Sequence, residues 1–180
     1  MGLDMFLVLD KGRKGTAEVE RYWNSAEHWD KVLKLKVGEF DGLVLAQWRK
    51  AFGILNWFDH SLASVAEVNR ELPDEDFDEL RDRNCVQYGH YYKVTEEELS
   101  KLVSLCGCVK LLAEEYGGRS GVPASDIPES LSPIGKGYFI GATDEINDWW
   151  WEDIDSTLRM LESVSDHIDW DNDDAYFCIG

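Results

Sequence analysis

Cationic side chains are scarce in this 180-residue sequence: 18 Lys and Arg stand against 36 Asp and Glu, a formal charge of -18. A shortage on that scale disfavours direct binding to nucleic acid or to anionic lipid, because phosphates attract Lys and Arg and repel carboxylates. Cysteine is scarce too. Cys85, Cys106, Cys108 and Cys178 are too few for a disulfide scaffold, and their spacing matches no zinc template, so they read as reduced and mostly buried thiols with no metal site. No apolar run approaches the roughly 18 residues that cross a bilayer, and the first residues lack a basic start and a cleavage site, so a cytoplasmic protein is expected. The glycine clusters at Gly117-Gly118-Arg119-Ser120-Gly121 and Gly135-Lys136-Gly137 fit neither a P-loop nor GxGxxG, and no nucleotide cofactor is expected.

What the chain does have is apolar bulk, 44% hydrophobic with 8 Trp, 7 Tyr and 7 Phe, enough for one compact domain over residues 1–180. Its charge is uneven. Residues 1–50 carry nine basic and eight acidic side chains, whereas the last forty hold twelve carboxylates against the single Arg159.

Leu3 to Leu9 reads as a buried strand, followed by a basic turn at 11–15 and a helical spacing from Thr16 to Trp29. Val32 to Phe40 alternates like a half-exposed strand, with Asp41-Gly42 as its turn. From Ala46, the residues Trp48, Phe52, Leu55, Phe58, Leu62 and Val65 recur at steps of three and four and predict a helix. Residues 71–83 are acidic and broken by Pro73, and Val86 to Val94 suits a strand. Thr95-Glu96-Glu97-Glu98 is a capping box opening a helix with Leu99, Leu102, Cys106, Val109, Leu112 and Tyr116 on its core face, ended by Gly117-Gly118. Residues 118–135, with Pro123, Pro128 and Pro133, form the longest loop. Tyr138 to Gly141 reads as a strand, Thr143-Asp144 as the cap of a last helix, and Ala175 to Ile179 as a closing strand. This order predicts an α+β fold, a small mainly antiparallel sheet with three to four amphipathic helices packed on it.

Several blocks together carry a resemblance: Met1-Gly2-Leu3-Asp4-Met5-Phe6-Leu7, Gln47-Trp48-Arg49-Lys50-Ala51, Asn56-Trp57-Phe58, Tyr91-Tyr92-Lys93-Val94-Thr95-Glu96-Glu97-Glu98-Leu99, Gly137-Tyr138-Phe139-Ile140-Gly141-Ala142-Thr143-Asp144 and Asp148-Trp149-Trp150. The chain resembles small phage and prophage-encoded proteins that begin MGLDMYL. It departs from them in a longer proline-rich segment after Tyr116 and in its ending, Tyr176-Phe177-Cys178-Ile179. That family brings no established activity and no site residues. What the resemblance implies is a setting, a phage accessory protein in a bacterial host's cytoplasm, where binding a host protein or blocking a defence system is a common task.

The candidate site is an acidic row on the last helix. Glu145, Asp148, Glu152 and Asp155, then Glu162 and Asp166 after the interrupting Arg159, recur at three to four residues, with Asp171 and Asp173 following, and could imitate a phosphate backbone toward a basic host protein. The bland reading is the solvated side of an amphipathic helix. Three consecutive rings, Trp149-Trp150-Trp151, cannot all face one core, so Trp149 or Trp151 is the expected anchor of an interface. Asp169-Trp170-Asp171-Asn172-Asp173-Asp174 opens like a calcium loop, but Asp174 replaces the turn glycine and Gly180 the bidentate Glu. Asp59-His60-Ser61 are neighbours in sequence and so diverge on a helix, and no nucleophile motif surrounds any Ser or Cys. No catalytic residue is assigned. Two alternatives stay open: an aromatic pocket binding or hydrolysing a nucleotide-like signal, and a homo-oligomer whose aromatics are self-association surface.

Overall fold

The computed structural model describes residues 4–11, 34–37, 40–62, 91–133, 146–165 and 167–179. Strands β1 (Asp4–Asp10), β2 (Lys34–Val37), β3 (Phe40–Arg49), β4 (Tyr91–Val94) and β5 (Asp174–Ile179) form one sheet in the order β2-β3-β1-β5-β4. Every pairing is antiparallel. Helices α1 (Phe52–Leu62), α2 (Glu96–Glu115) and α3 (Asp148–Ser165) complete a single α+β domain, as the element order predicts. The basic turn at 12–15, the helix at 16–29, the acidic segment 71–83, the strand at 138–141, the cap at 143–144 and the candidates Glu145 and Asp166 lie outside the described residues.

Alternation along the strands sets the two faces of the sheet. Met5, Leu7 and Leu9 of β1, Ala46 and Trp48 of β3, Tyr92 and Val94 of β4, and Ala175, Phe177 and Ile179 of β5 share one core with the helices. Phe58 of α1 stacks on Phe177 with ring centroids 3.8 Å apart, fixing α1 over the centre of the sheet. The opposite face, with Phe6, Val8, Tyr91, Tyr176 and Cys178, is buried as well. Burial on both sides explains why β1 and β5 read as continuous apolar runs.

Two predicted boundaries are corrected. Asp41 and Gly42 are not a turn: they sit inside β3 opposite Lys36 and Leu35, with Phe40 paired to Val37. Ala46 to Arg49 are strand and not helix. Their three-to-four spacing is coincidental, and pairing with β1 overrides it, with a register shift at Leu7/Val8. The helix waits until Lys50 turns the chain with a φ of 59°. The described helix runs to Leu62, with Val65 outside the described residues.

The signals around α2 hold. The Thr95 hydroxyl accepts from the Glu98 amide, and the Thr95 amide donates to Glu98 Oε2 at 2.7 Å, so two orphan groups are satisfied reciprocally. At the far end, Gly117 and Gly118 have φ of 72° and 139°. Their amides donate to Glu114 O and Ala113 O, the paired bonds of a Schellman ending that only glycine enters without strain. Two residues depart from the predicted core face: Leu112, which is only half-buried, and Tyr116. Tyr116 lies past the helix end, is exposed, and donates its hydroxyl to Asp126.

The proline-rich stretch is not a featureless loop. Each of Pro123 and Pro128 precedes a short 3-10 turn, Ala124–Asp126 and Glu129–Leu131, after a first turn at Arg119–Gly121. Ile127 and Leu131 are buried in the core. Buried Asn56 of α1 donates through Nδ2 to Glu129 O at 2.8 Å and Ser132 O at 3.0 Å, and Trp150 Nε1 donates to Leu131 O at 2.9 Å. Gly53 permits this crossing, since a Cβ there would come within 2.5 Å of both Leu131 O and Trp150 Nε1.

Candidate functional site

Helix α3 begins later than its predicted cap. Asn147 supplies the N-cap, its Oδ1 accepting the Trp150 amide at 3.1 Å, and Asp148 in the first turn suits the positive helix end. The inner face is bolted down at two points: Trp150 to the Leu131 carbonyl, and Trp48 of β3 through Nε1 to Thr157 Oγ1 at 2.8 Å, which in turn donates to Asp153 O at 2.6 Å. Trp150, Trp151, Ile154, Leu161 and Val164 are buried. These anchors fix which side of α3 faces out.

The three tryptophans divide unequally. Trp149 is 80% exposed, whereas Trp151 is only 5% exposed, packed edge-on to Trp150 with centroids 4.9 Å apart. Trp151 is therefore excluded as a surface anchor. Asp148 and Glu152 are both exposed and lie one turn apart, beside Trp149 on the outer face. An indole between carboxylates is a place where a cation gains both Coulomb and ring-quadrupole attraction.

The rest of the predicted row is less uniform. Arg119, from the turn after α2, sets Nη1 3.4 Å from Glu152 Oε1 and Nη2 against Asp155 Oδ2, while its guanidinium carbon lies 5.8 Å from the centre of the Trp151 ring. Thus Arg119 joins Arg159 in interrupting the row. With Arg119 39% and Glu152 61% exposed, such a pair contributes about 0–1 kcal/mol. Glu162 is exposed further along. Asp173 is corrected outright: it is 3% exposed, and its Oδ2 accepts the Asp169 amide at 3.0 Å. Asp171 is exposed, on the turn after the helix. Asp169 there accepts the Asp171 amide and the Asn172 side chain, so Asp169 and Asp173 of the calcium-like segment serve the turn itself. Among the described residues no group of three His, Cys, Asp or Glu is arranged to hold a metal ion.

Asp153 carries the clearest electrostatic perturbation on this helix. Burial, and then the neighbouring Glu152 charge, push its carboxyl up to about 7. The folded state therefore keeps a proton that the unfolded chain has released, so stability falls as pH rises from about 4 to about 7 and is constant above. Asp153→Asn removes that loss: its gain over the parent, measured by denaturant titration, should be near zero at pH 4 and reach about 1–3 kcal/mol at pH 8.

One polar cluster is invisible to spacing arguments. On the second sheet face, Asp10 of β1 sits opposite Asp174 of β5, both nearly inaccessible. Lys93 Nζ of β4 lies 2.7 Å from Asp174 Oδ1, and the Tyr176 hydroxyl donates to Asp174 Oδ2 at 3.3 Å. Burial, then the charges of Asp174 and Asp10, push the Tyr176 phenol up, so it stays protonated at neutral pH. Of the three cysteines among the described residues, Cys106 and Cys178 are free, buried and pushed up to about 12 by burial, and Cys108 is free and exposed; Cys85 lies outside the described residues. His60 is exposed at the end of α1. No helix among the described residues is long and apolar enough to cross a membrane.

A groove of about 330 Å3 runs between the end of α2 and α3, lined by Lys110, Glu114, the Gly117-Gly118 backbone, Trp151 and Asp155. It is at the low edge of ligand-pocket sizes, room for a side chain more than for a nucleotide.

No protein-family model and no solved structure matches the chain. It is similar to a short chain dehydrogenase/reductase, nsrJ, of Aspergillus novofumigatus, at 26% identity over 169 residues, 89% of this chain. The chain spans 58% of that protein's length.

Proposed function

We propose that this chain is a non-enzymatic phage accessory protein, acting in the cytoplasm of a bacterial host, that binds and inhibits a host protein with a basic or nucleic-acid-binding surface. The observation that carries the reading is Trp149, 80% exposed at the start of α3 between the exposed carboxylates of Asp148 and Glu152. An indole left in water at that level costs solvation and is typical of an interface centre, where Trp is enriched. The charge of -18 supplies steering toward a cationic partner. The resemblance to the MGLDMYL proteins supplies the setting.

The dehydrogenase likeness suggests a second reading, hydride transfer with a bound dinucleotide. Dinucleotide sites of the doubly wound kind need parallel strands and a glycine-rich first turn at a helix N-terminus. Here β1 pairs antiparallel with both β3 and β5, which favours the binding reading.

The test is capture of bacterial proteins on the immobilised chain at low and high salt, with duplex DNA as competitor. A nucleic-acid-binding protein retained at low salt and released by DNA is the expected result. Retention of no basic protein overturns the reading.

A further inference from the structure

The chain already displays how its acidic helix takes a cation. Arg119 lies with its guanidinium toward the Trp151 ring and one terminal nitrogen toward each of Glu152 and Asp155. Ring and paired carboxylates are what a planar guanidinium uses and an ammonium, a compact point charge, uses poorly. The groove continues beside it, walled by Trp151, Asp155, Glu114 and a further cation, Lys110, and floored by Gly117 and Gly118, which carry no side chains to fill it. Arg119 is held weakly enough to leave: its side chain is 39% exposed, and it follows directly on two glycines.

We infer that the groove between α2 and α3 is an arginine-binding site occupied by the chain's own Arg119, and that an arginine side chain of a basic partner enters it by displacing Arg119. The identity of the partner rests on the reading above; the chemistry rests on the groove. Asp155, only 20% exposed, is the inner carboxylate that fixes the guanidinium, and Glu152, 61% exposed, the outer one. Glu152 lies three residues after Trp149 on α3, so the outer carboxylate that holds Arg119 is also a helical neighbour of the exposed indole.

The experiment uses the full chain, its Arg119→Ala and Arg119→Gln variants, and two probes, N-acetyl-arginine methylamide and the lysine equivalent, titrated while the Trp151 indole NH is followed by NMR. An internal competitor lowers apparent affinity by the fraction of time it occupies the site, so both variants should bind the arginine probe about five- to tenfold more tightly than the parent. The lysine probe should gain far less. If neither variant gains over the parent, or if both probes gain equally, the arginine site is overturned. Trp149→Ala separates the two ideas, since it should leave probe binding unchanged while weakening capture of a basic partner. Arginine-selective probe binding without any partner capture would retain the groove and reject the host-protein reading.

Discussion

Trp149→Ala combined with Asp148→Lys and Glu152→Lys is expected to weaken binding of a basic partner about 100-fold or more, because a central tryptophan alone typically contributes 2 kcal/mol or more. Reversing two flanking charges adds repulsion where there was attraction, and most of that shows in the association rate and its salt dependence. The fold should be spared. Trp149 is 80% exposed, Asp148 and Glu152 are exposed, and the pair from Glu152 to Arg119 is exposed on both sides. Binding measured at 50 and 300 mM salt, with thermal melts of both proteins, checks this. An unchanged affinity with an unchanged melt removes the proposed interface. Asp155 is left out of the variant because it is mostly covered and holds Arg119, so its reversal would disturb the turn after α2 as well as the surface.

Asn56→Asp is expected to cost about 3–5 kcal/mol at neutral pH, the order seen when a buried charge is left uncompensated. Asn56 is 1% exposed, and its amide donates to two carbonyls, Glu129 O and Ser132 O. A carboxylate there would present oxygen to oxygen. The new group's folded pKa is raised by burial, so the loss should shrink as pH falls toward 4 and the carboxyl gains a proton to donate. Asn56→Ala, which removes the donors without adding charge, should cost less, about 1–3 kcal/mol, and show no such pH dependence. Urea titrations of the three proteins at pH 4.5 and 7.5 decide it. Equal losses for both variants at both pH values would show that the 124–132 segment does not depend on this donor. Damage to the segment should spread to α3, because Leu131 takes a hydrogen bond from Trp150 and Gly53 lets the two meet.

Local signals were legible wherever neighbouring residues settle their own geometry. Thr95 and Glu98 make a capping box in any context that permits a helix, and Gly117-Gly118 can take positive φ where other residues are strained. The apolar runs that became β1 and β5 were legible for the same reason, as was the need for at least one of three consecutive tryptophans to face outward. Misreadings arose where two periods coincide. Trp48 fits both a helical stripe with Phe52 and Leu55 and a strand alternation with Ala46, and only the partner strand β1 decides between them. Asp41-Gly42 is turn chemistry placed in a strand, because pairing with β2 sets Asp41 opposite Lys36 and Gly42 opposite Leu35.

By itself, the sequence determined the α+β class, the ends of α2, the acidic surplus and the presence of an exposed ring on α3, since each depends on composition or on contacts a few residues apart. Only the tertiary structure decided that the ring is Trp149 and not Trp151, that Asp173 serves a turn, and that Arg119 breaks the acidic row by crossing from the turn after α2 to Glu152 and Asp155. It also decided that Asp10, Lys93, Asp174 and Tyr176 meet on one face of the sheet. The physical reason is common to the ring, to Arg119 and to the sheet cluster. Charge and periodicity say which side chains can be exposed or paired, but a partner 33 or 81 positions away is supplied by packing, and packing is settled by the whole core together.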